Sequence, residues 1–357
     1  MILTSIIFMN VFAVTVSLII IVADKIMSNY GTCKIVINGD KEFEANGGVS
    51  LLRILFERKY FIPSACGGKG TCGYCKLKVT EGGGAALPTE TLILSPREVQ
   101  SGIRMACQLK VKNDLHIEIP PEYLEIQEYV GEISVSESVT SDINRIRIKL
   151  KDPNHIKYKP GQYVQIRVET DTGTDFRAYS MASNPMQTDE IELNVKRIPD
   201  GIGSNYIHGL KVGDPIEFSG PYGDFFLQNT HRKIVCVAGG VGLAPLKAIV
   251  QYWKENERHR KIELYYGARA TKDLYDHEFF MKLAEENENF IYHPGLSDPE
   301  EGWTGETGFI HQVLERKMTE GETSEAYLCG PPIMIDAVME VLNEGNISND
   351  RIWFDKF

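Results

Sequence analysis

Four of the seven cysteines in the chain have a spacing that could hold a metal centre. Cys66, Cys72 and Cys75 lie in the loop CGGKGTCGYC, and Cys107 follows further along the chain. Two irons bridged by two sulfides need four thiolates. Three thiolates on one tight loop require a glycine-rich backbone, because glycine reaches positive φ without strain and lets amide N–H groups approach the sulfurs. The loop therefore predicts a [2Fe–2S] cluster. A structural zinc site is the alternative, although zinc sites usually pair two C-x2-C knuckles and Cys107 stands alone.

A second group of residues has the chemistry that a flavin dinucleotide requires. Arg177, Tyr179 and Ser180 follow a strand pattern, and Gly203 and Ser204 lie where the chain enters a short helix. A flavin dinucleotide needs a cation and free N–H groups for its pyrophosphate, an aromatic face for its ring, and a small donor near its reactive edge. Ser180 is the candidate for that catalytic donor. An R-x-Y-S tetrapeptide alone is more often structural, but this one lies between the cysteine loop and a nucleotide loop.

The nucleotide loop follows the apolar strand KIVCVA and precedes a helix. It holds Gly239, Gly240, Gly242 and Pro245. A strand, a glycine turn and a helix N-terminus form an anion site from amide N–H groups and the helix dipole, and proline suits a first helical turn. The third glycine of the G-x-G-x-x-G fingerprint is absent, so the loop is not of that type. The pyrophosphate of NAD(P)H is the predicted ligand.

Two further strand ends are predicted to reach the same cleft, because open α/β sheets bind ligands at the carboxyl ends of their strands. One carries Gly267 and Arg269, and the other carries Cys329, Gly330 and Pro331. Cys329 is either a catalytic-site thiol beside the nicotinamide ring or a buried core thiol. Arg269 could approach a 2′-phosphate, and the residues alone leave NADH and NADPH both open.

Composition narrows the remaining possibilities. The net charge of −11 and the scattered basic residues exclude a nucleic-acid-binding face. Cys33 and Cys236 lie in apolar strands and are predicted core residues. The N-terminal run from Met1 to Ala23 has no charged residue, and as a helix it would extend roughly 35 Å, enough to span a bilayer. A cleaved signal peptide is the alternative, but it lacks a basic start and an A-x-A site.

The order of patterns predicts a multidomain chain. We expect a transmembrane helix over 1–26, an α+β, β-grasp-like ferredoxin domain over 30–125, an antiparallel β-barrel FAD domain over 126–228, and an α/β parallel-sheet NAD(P)H domain over 229–357. Short alternating strands separated by turns indicate the barrel. Apolar strands that alternate with helices indicate the parallel sheet.

The combined motifs CGGKGTCGYC, RAYSMAS, GPYGDFF, AGGVGLAP, YYGAR, YLCGPP and IWFDKF resemble one family over nearly the whole chain. It is the F-subunit family of the sodium-translocating NADH:quinone oxidoreductases, within the ferredoxin–NADP reductase superfamily. The resemblance implies that NADH reduces FAD and that the cluster relays single electrons to membrane subunits and eventually to quinone. It assigns Arg177, Tyr179 and Ser180 to FAD, with Gly203 and Ser204 at the pyrophosphate. Phe357 would cover the flavin ring, unless it is a simple strand residue.

The resemblance also predicts location. NADH is cytoplasmic in a bacterium or archaeon, so the soluble domains are expected on the cytoplasmic side of the inner membrane, anchored by one N-terminal helix. One rival is the reductase component of a diiron or Rieske oxygenase, which has the same three-module order but is usually soluble. Another is a docking subunit with a vestigial nucleotide site. The segment between RAYS and GIGS is shorter than in the family, a difference that bears on docking to the partner subunits and on sodium transport.

Overall fold

The computed structural model describes residues 2–27, 30–170, 173–319 and 321–356, and the side chains of these except 2–6, 22–27 and 173. The chain divides into two compact units, Met1–Glu125 and Ile126–Phe357. Each unit buries its own apolar clusters.

The first unit begins with helix α1, Ile2–Met27. Large apolar side chains along its described part are exposed, among them Phe8, Phe12 and Leu18. Where side chains are described, no helix combines the length and the apolar character that a membrane crossing requires.

The rest of the first unit is a five-stranded sheet with short helices. Its strands are β1 Thr32–Ile37, β2 Lys41–Asn46, β3 Lys76–Glu81, β4 Ile103–Met105 and β5 Leu115–Glu118, in the order β2-β1-β5-β3-β4. The helices are α2 Leu51–Glu57, α3 Pro88–Thr91, α4 Pro96–Gln100 and α5 Pro121–Leu124. β1 runs parallel to β5 and alternates exposed and buried residues, so one face of the sheet packs on α2 and holds the loop that carries the cysteines.

The second unit starts with a six-stranded antiparallel sheet. Its strands are β6 Gln127–Ser138, β7 Ile143–Asp152, β8 Tyr163–Thr170, β9 Gly173–Ser180, β10 Glu190–Lys196 and β11 Pro215–Tyr222, in the order β10-β7-β6-β11-β8-β9. A bridge between Met181 and Leu193 joins the two edges, so the sheet curls on itself. Helix α6, Ile202–Gly209, packs Ile207 into the core of this sheet.

A six-stranded parallel sheet completes the second unit. Its strands are β12 Lys233–Gly239, β13 Ile262–Ala268, β14 Phe290–Leu296, β15 Glu306–Thr307, β16 Ser324–Gly330 and β17 Ile352–Lys356, in the order β15-β14-β13-β12-β16-β17. The helices are α7 Leu243–Asn256, α8 His277–Glu286, α9 Ile310–Lys317 and α10 Pro332–Glu344. Alternate residues of β12 enter two different apolar clusters, because helices cover both faces of the sheet.

Several predictions from the sequence can be compared with these elements. The antiparallel sheet, expected as a barrel, is observed as a six-stranded sheet that curls on itself, and the helix-covered parallel sheet is confirmed. Cys33 and Cys236 are buried, as predicted. The stretch after Pro120 contains the one-turn helix α5, and the boundary between the two units falls directly after it, at Glu125.

Candidate functional site

The four predicted ligand cysteines lie in two pairs. Cys72 Sγ is 3.4 Å from Cys66 Sγ, and Cys75 forms a side-chain hydrogen bond with Cys107. The thiol hydrogen bond from Cys72 lowers the pKa of Cys66 to about 4, whereas donating that bond raises the pKa of Cys72. Within each pair the two sulfurs are thus close enough to share a hydrogen bond.

Backbone amides point at these sulfurs, as the glycine-rich loop predicts. The N–H groups of Thr71 and Cys72 donate to Cys66, and that of Gly70 donates to Cys107. Gly70 has φ +79, and a Cβ there would lie 2.5 Å from Gln108 Nε2. Any larger residue would strain the backbone and collide with a side chain that itself contacts Cys107 Sγ at 3.7 Å. Amide donors of this kind stabilise a negatively charged cluster.

The paired arrangement of the four cysteines bears on the choice between a cluster and zinc. Cys66 lies beside Cys72, and Cys75 lies beside Cys107. One tetrahedral zinc would gather all four sulfurs around a point. Two separate pairs of cysteines on a glycine-rich loop instead suit two irons, each held by two thiolates.

A buried ion pair supports the segment that carries Cys107, and the sequence did not reveal it. Glu90 is fully buried and accepts hydrogen bonds from Arg104 at 2.6 Å and from the Met105 N–H at 2.9 Å. Burial alone would raise the pKa of Glu90, but these bonds and one from the Leu87 N–H hold it below its usual value. The pair thus fixes Arg104 and Met105 just ahead of Cys107.

The predicted flavin residues come together between β9 and the start of α6. A Cβ at Gly203 would lie 2.5 Å from Arg177 Cγ and 2.7 Å from the Tyr179 hydroxyl. The bare glycine therefore lets the helix N-terminus approach both side chains. The first N–H groups of a helix have no intrahelical partner, so amides, a guanidinium and an aromatic ring meet at one place. Arg177 also donates to Asp175 at 2.6 Å.

Two serines of the predicted set have different surroundings. Ser204 is buried, and its Oγ accepts from the Ile198 N–H at 3.1 Å. This side chain holds the loop before α6, and the backbone N–H of Ser204 belongs to the first turn of the helix, where amides have no intrahelical partner. Ser180 is the last residue of β9, pairs with Tyr163 of β8, and is partly exposed.

The nucleotide loop lies where the strand order of the parallel sheet reverses. The chain leaves β12 toward β13 on one side, and β16 adjoins β12 on the other. A Cβ at Gly242 would lie 2.1 Å from the Cys329 carbonyl oxygen, and one at Gly239 would lie 2.4 Å from Met334 Sδ. Both glycines therefore permit close packing at the switch point, which is where open α/β sheets bind ligands.

A cleft of about 420 Å³ opens at this point. The predicted residues that line it are Gly239, Gly240, Gly267, Arg269 and Pro331. The curled sheet contributes the opposite wall through Thr140, Asp142, Ile143 and Lys196. The cleft has the size and polar edges of a small-molecule site.

Asp273 also lines this cleft, and the sequence motifs missed it. It ends a 3-10 turn after β13, and its carboxylate lies 3.3 Å from Arg269 Nε. Arg269 itself is largely exposed, with 73% of its side chain accessible. The only signal in the sequence was an acidic residue shortly after the strand, as occurs in many loops.

The other predicted residues are further from the open cleft. Cys329 is 2% exposed and packs in the core around β12 and β16, where burial raises its pKa well above the usual thiol value. Pro245 is buried as the third residue of α7. Gly330 ends β16, directly before Pro331. Phe357 lies outside the described residues.

Comparison with known proteins agrees with this geometry. Residues 35–112 match the 2Fe-2S iron-sulfur cluster binding domain, residues 131–227 the oxidoreductase FAD-binding domain, and residues 236–340 the oxidoreductase NAD-binding domain. The structure of the Amycolatopsis cytochrome P450 reductase GcoB is similar, with 29% identity, a TM-score of 0.72, and coverage of 91% of this chain and 98% of that one. The ferredoxin reductase in carbazole 1,9a-dioxygenase has 27% identity, a TM-score of 0.70, and coverage of 92% and 98%. Fold and site thus define an iron–sulfur flavoprotein oxidoreductase.

Curated relatives place the chain within this class. The F subunit of the Na(+)-translocating NADH-quinone reductase of Serratia proteamaculans is 35% identical over 95% of each chain. That of Yersinia enterocolitica is 35% identical, covering 100% of this chain and 99% of the relative. The chain belongs to the F-subunit family of the Na(+)-translocating NADH-quinone reductases. The predicted cofactors, a [2Fe–2S] cluster, FAD and NADH, are confirmed at the level of domains.

Proposed function

We propose that the chain is the electron-input subunit of a Na⁺-translocating NADH:quinone oxidoreductase. It takes electrons from NADH and passes them to other subunits of the complex and, through them, to quinone. The observation that carries this proposal is the full-length similarity to the F subunits of these reductases, together with three cofactor domains in one chain.

Each group of residues has a separate task in this function. When bound, FAD accepts two electrons as a hydride and releases them one at a time, which a one-electron cluster requires. Cys66, Cys72, Cys75 and Cys107 would hold the cluster. Arg177 would neutralise the flavin pyrophosphate while the N–H groups of Gly203 and Ser204 bind it, and Tyr179 would pack on the flavin ring. Ser180 would donate near its reactive edge.

The nucleotide is bound by the glycine turn and the neighbouring strand ends. Gly239, Gly240 and Gly242 would bring the α7 N-terminus to the pyrophosphate, with Pro245 in the first turn. Gly267, Gly330 and Pro331 would shape the remaining wall, and Cys329 would lie beneath the nicotinamide. Phe357 stays a candidate cover of the flavin ring.

NADH is the proposed donor rather than NADPH. The cleft presents the Asp273 carboxylate, which is already paired with Arg269. A carboxylate can accept hydrogen bonds from a ribose hydroxyl, but it repels a 2′-phosphate. Because Asp273 pairs with Arg269, it partly cancels the positive charge with which Arg269 could bind a 2′-phosphate.

We propose further that the N-terminus anchors the chain in the bacterial or archaeal inner membrane, with the other domains in the cytoplasm. Support comes from the uncharged sequence from Met1 to Ala23, from the helical length of Ile2–Met27, and from the exposed apolar side chains described along it. Apolar side chains that lack protein neighbours are stable in lipid rather than in water.

A reductase that serves an oxygenase is the second candidate. The observation in its favour is the similarity to the P450 reductase and to the carbazole dioxygenase reductase at 27–29% identity. The alignment with the Yersinia relative extends over 403 positions, against 357 residues here, so that relative has insertions that this chain lacks. Purification from native membranes tests the partner subunits directly.

The test starts with native membranes. Purification of the full chain should recover membrane subunits of a quinone reductase, whereas recovery of an oxygenase would favour the second candidate. Removal of the first 26 residues should give a coloured protein that detaches from membranes and still oxidises NADH with ferricyanide. Absence of that activity would instead favour a docking subunit with an inactive nucleotide site. Cys72→Ala should stop electron delivery to the partner but leave the reduction of FAD by NADH intact.

A further inference from the structure

Four buried charges form a closed ring between the curled sheet and the parallel-sheet domain. Arg145 of β7 donates to Asp276 at 2.6 Å, and Lys247 of α7 donates to Asp276 and to Glu192 of β10, each at 2.7 Å. Arg145 Nε lies 3.4 Å from Glu192 Oε1, an ion-pair distance without a hydrogen bond, and this contact closes the ring. Two further charges attach to it, because Arg145 also pairs with Glu137 and Arg147 pairs with Glu192, each at 3.1 Å. All four side chains are at most 13% exposed. We call Arg145, Asp276, Lys247 and Glu192 the four-charge ring.

Charges alternate around the ring and cancel. Two of its contacts, Arg145 to Asp276 and Lys247 to Glu192, cross from one domain to the other. Buried charges lose their hydration, and this loss is offset only while each charge keeps a partner in good geometry. A rotation or slide of one domain against the other would break both crossing contacts together. The ring therefore penalises every orientation except the one in which it is closed.

Apolar packing alone would not impose this restriction. Ile143, the first residue of β7, and Leu227, which follows β11, belong to the same apolar cluster as β12 and β13. This contact attracts the two domains, but hydrophobic attraction has no preferred direction. The directional part of the contact comes from polar groups. The four-charge ring is its buried, charged part, and two hydrogen bonds add to it, from Gln251 Nε2 to the Ala182 carbonyl at 2.8 Å and from Asn184 Nδ2 to Glu255 at 2.6 Å.

The ring also joins the two walls of the nucleotide cleft. Arg145 follows Ile143 by two positions, and Ile143 lines the cleft from the curled sheet. Lys247 lies one turn into α7, the helix that the glycine turn opens, and Gly239 and Gly240 line the cleft from the other side. The width of the cleft therefore depends on the contacts within the ring.

We infer that the members of the four-charge ring are positioning residues for hydride transfer. They hold the parallel-sheet domain in the orientation at which the bound nicotinamide meets the flavin. In the proposed reaction a hydride would pass with its two electrons from NADH to bound FAD, and the ring charges would exchange neither a proton nor an electron. The inference rests on the proposed function, because it concerns the reduction of FAD by NADH.

The first test uses Lys247→Met in the full chain with its cofactors. The change removes one positive charge, keeps most of the volume, and leaves Arg145 as the one cation of the ring between Asp276 and Glu192. The matched control is Lys282→Met, which alters a lysine of α8 with 75% of its side chain exposed. Misplacement of reacting groups by about 1 Å can cost roughly 100-fold in rate. We expect flavin reduction at saturating NADH to slow by about 10-fold or more in Lys247→Met, and to be unchanged in the control.

Two further measurements separate positioning from simple destabilisation. Stacked nicotinamide and flavin give a long-wavelength charge-transfer absorbance, which should decrease in Lys247→Met, while the NADH concentration at half-saturation should change much less. The double variant Lys247→Met with Glu192→Gln restores neutrality and keeps the contact between Arg145 and Asp276. It should melt closer to the unmodified protein, yet still reduce its flavin slowly.

The outcomes are distinct. If the folded double variant reduces its flavin within about twofold of the unmodified rate and keeps the charge-transfer band, the ring serves stability only and the inference is wrong. If the unmodified chain itself fails to reduce FAD with NADH, the proposed function is wrong instead. Slow reduction with a weakened band in both variants, and a normal control, supports the positioning role.

Discussion

Replacement of Gly242 by alanine should disrupt the nucleotide site more than any other single methyl group added to the loop. The new Cβ would lie 2.1 Å from the Cys329 carbonyl oxygen and 2.5 Å from its carbonyl carbon. Comfortable contacts between such atoms begin near 3.5 Å, so the two backbones must separate by more than about 1 Å. Neither can retreat easily, because Cys329 belongs to a strand that pairs with both β12 and β17.

The cost of this separation can be given an order of magnitude. Overpacking in a well-packed core typically costs about 1–3 kcal/mol, and a backbone clash in a central strand should fall at the upper end. If about 3 kcal/mol appears as weaker NADH binding, the affinity falls on the order of 100-fold. If it appears in folding, the parallel-sheet domain should melt at a lower temperature.

Two matched glycines provide the controls. Gly240 has φ +54, and no atom lies within 4 Å of the position that a new methyl group would take. Its replacement by alanine therefore tests backbone strain without a collision, and it should cost about 1–2 kcal/mol of unfolding free energy. Gly209 has neither constraint, and its replacement should leave NADH oxidation unchanged. The assay is NADH-dependent ferricyanide reduction, with FAD content and the thermal midpoint measured on the same samples. The reasoning would be refuted if Gly242→Ala matched Gly209→Ala in both NADH half-saturation and thermal midpoint.

Three other changes have defined outcomes. Glu90→Gln leaves the buried Arg104 without its counter-charge. This loss should cost about 3–5 kcal/mol of unfolding free energy and lower the iron content. The control is Glu98→Gln, whose pair with Lys76 is about one-third exposed, and it should cost at most about 1 kcal/mol. Asp273→Asn removes the carboxylate of the cleft and should raise kcat/KM for NADPH relative to NADH by about tenfold; an unchanged ratio would exclude Asp273 from the choice of nucleotide. The ring of His293 stacks on that of Tyr265 with 4.5 Å between ring centroids, and burial lowers the pKa of His293. The neutral imidazole therefore contributes its full stabilisation above pH about 6.5, and this stabilisation is lost as the pH falls below that value. Urea unfolding should show a smaller loss of stability on acidification in His293→Gln than in the unmodified chain, and equal losses would contradict this assignment.

The cofactor loops were predictable because their chemistry is local. The cysteine loop is recognisable because glycines and cysteines lie within a few positions of each other. The turn after β12 is recognisable because it has three glycines directly before a helix. The strands were predictable for the same reason. A strand buried on one face alternates apolar and polar residues, and a strand buried on both faces is a short apolar run. The sequence did not predict which glycines are required for close packing. Gly242 was predicted as part of an anion site, and the structure shows in addition that it allows β12 and β16 to approach.

The polar contacts that hold these loops in place could not be predicted in the same way. Glu90 and Arg104 are 14 positions apart, and Lys247 and Glu192 are 55 apart. A charged residue destined for a buried pair has the same local pattern as one on a solvated surface, because its partner is distant in sequence. Only the fold brings the charges together and excludes water from them.

These two kinds of residue have different consequences for the proposed function. Loops made of glycine and cysteine determine which cofactor can bind. The buried pairs hold the segments that carry these loops. If the four-charge ring acts as inferred, loss of one of its charges would leave every cofactor motif intact and still slow hydride transfer. A variant of that kind would show that complete motifs are insufficient for activity, because the orientation of the two domains is a separate requirement set by Arg145, Asp276, Lys247 and Glu192.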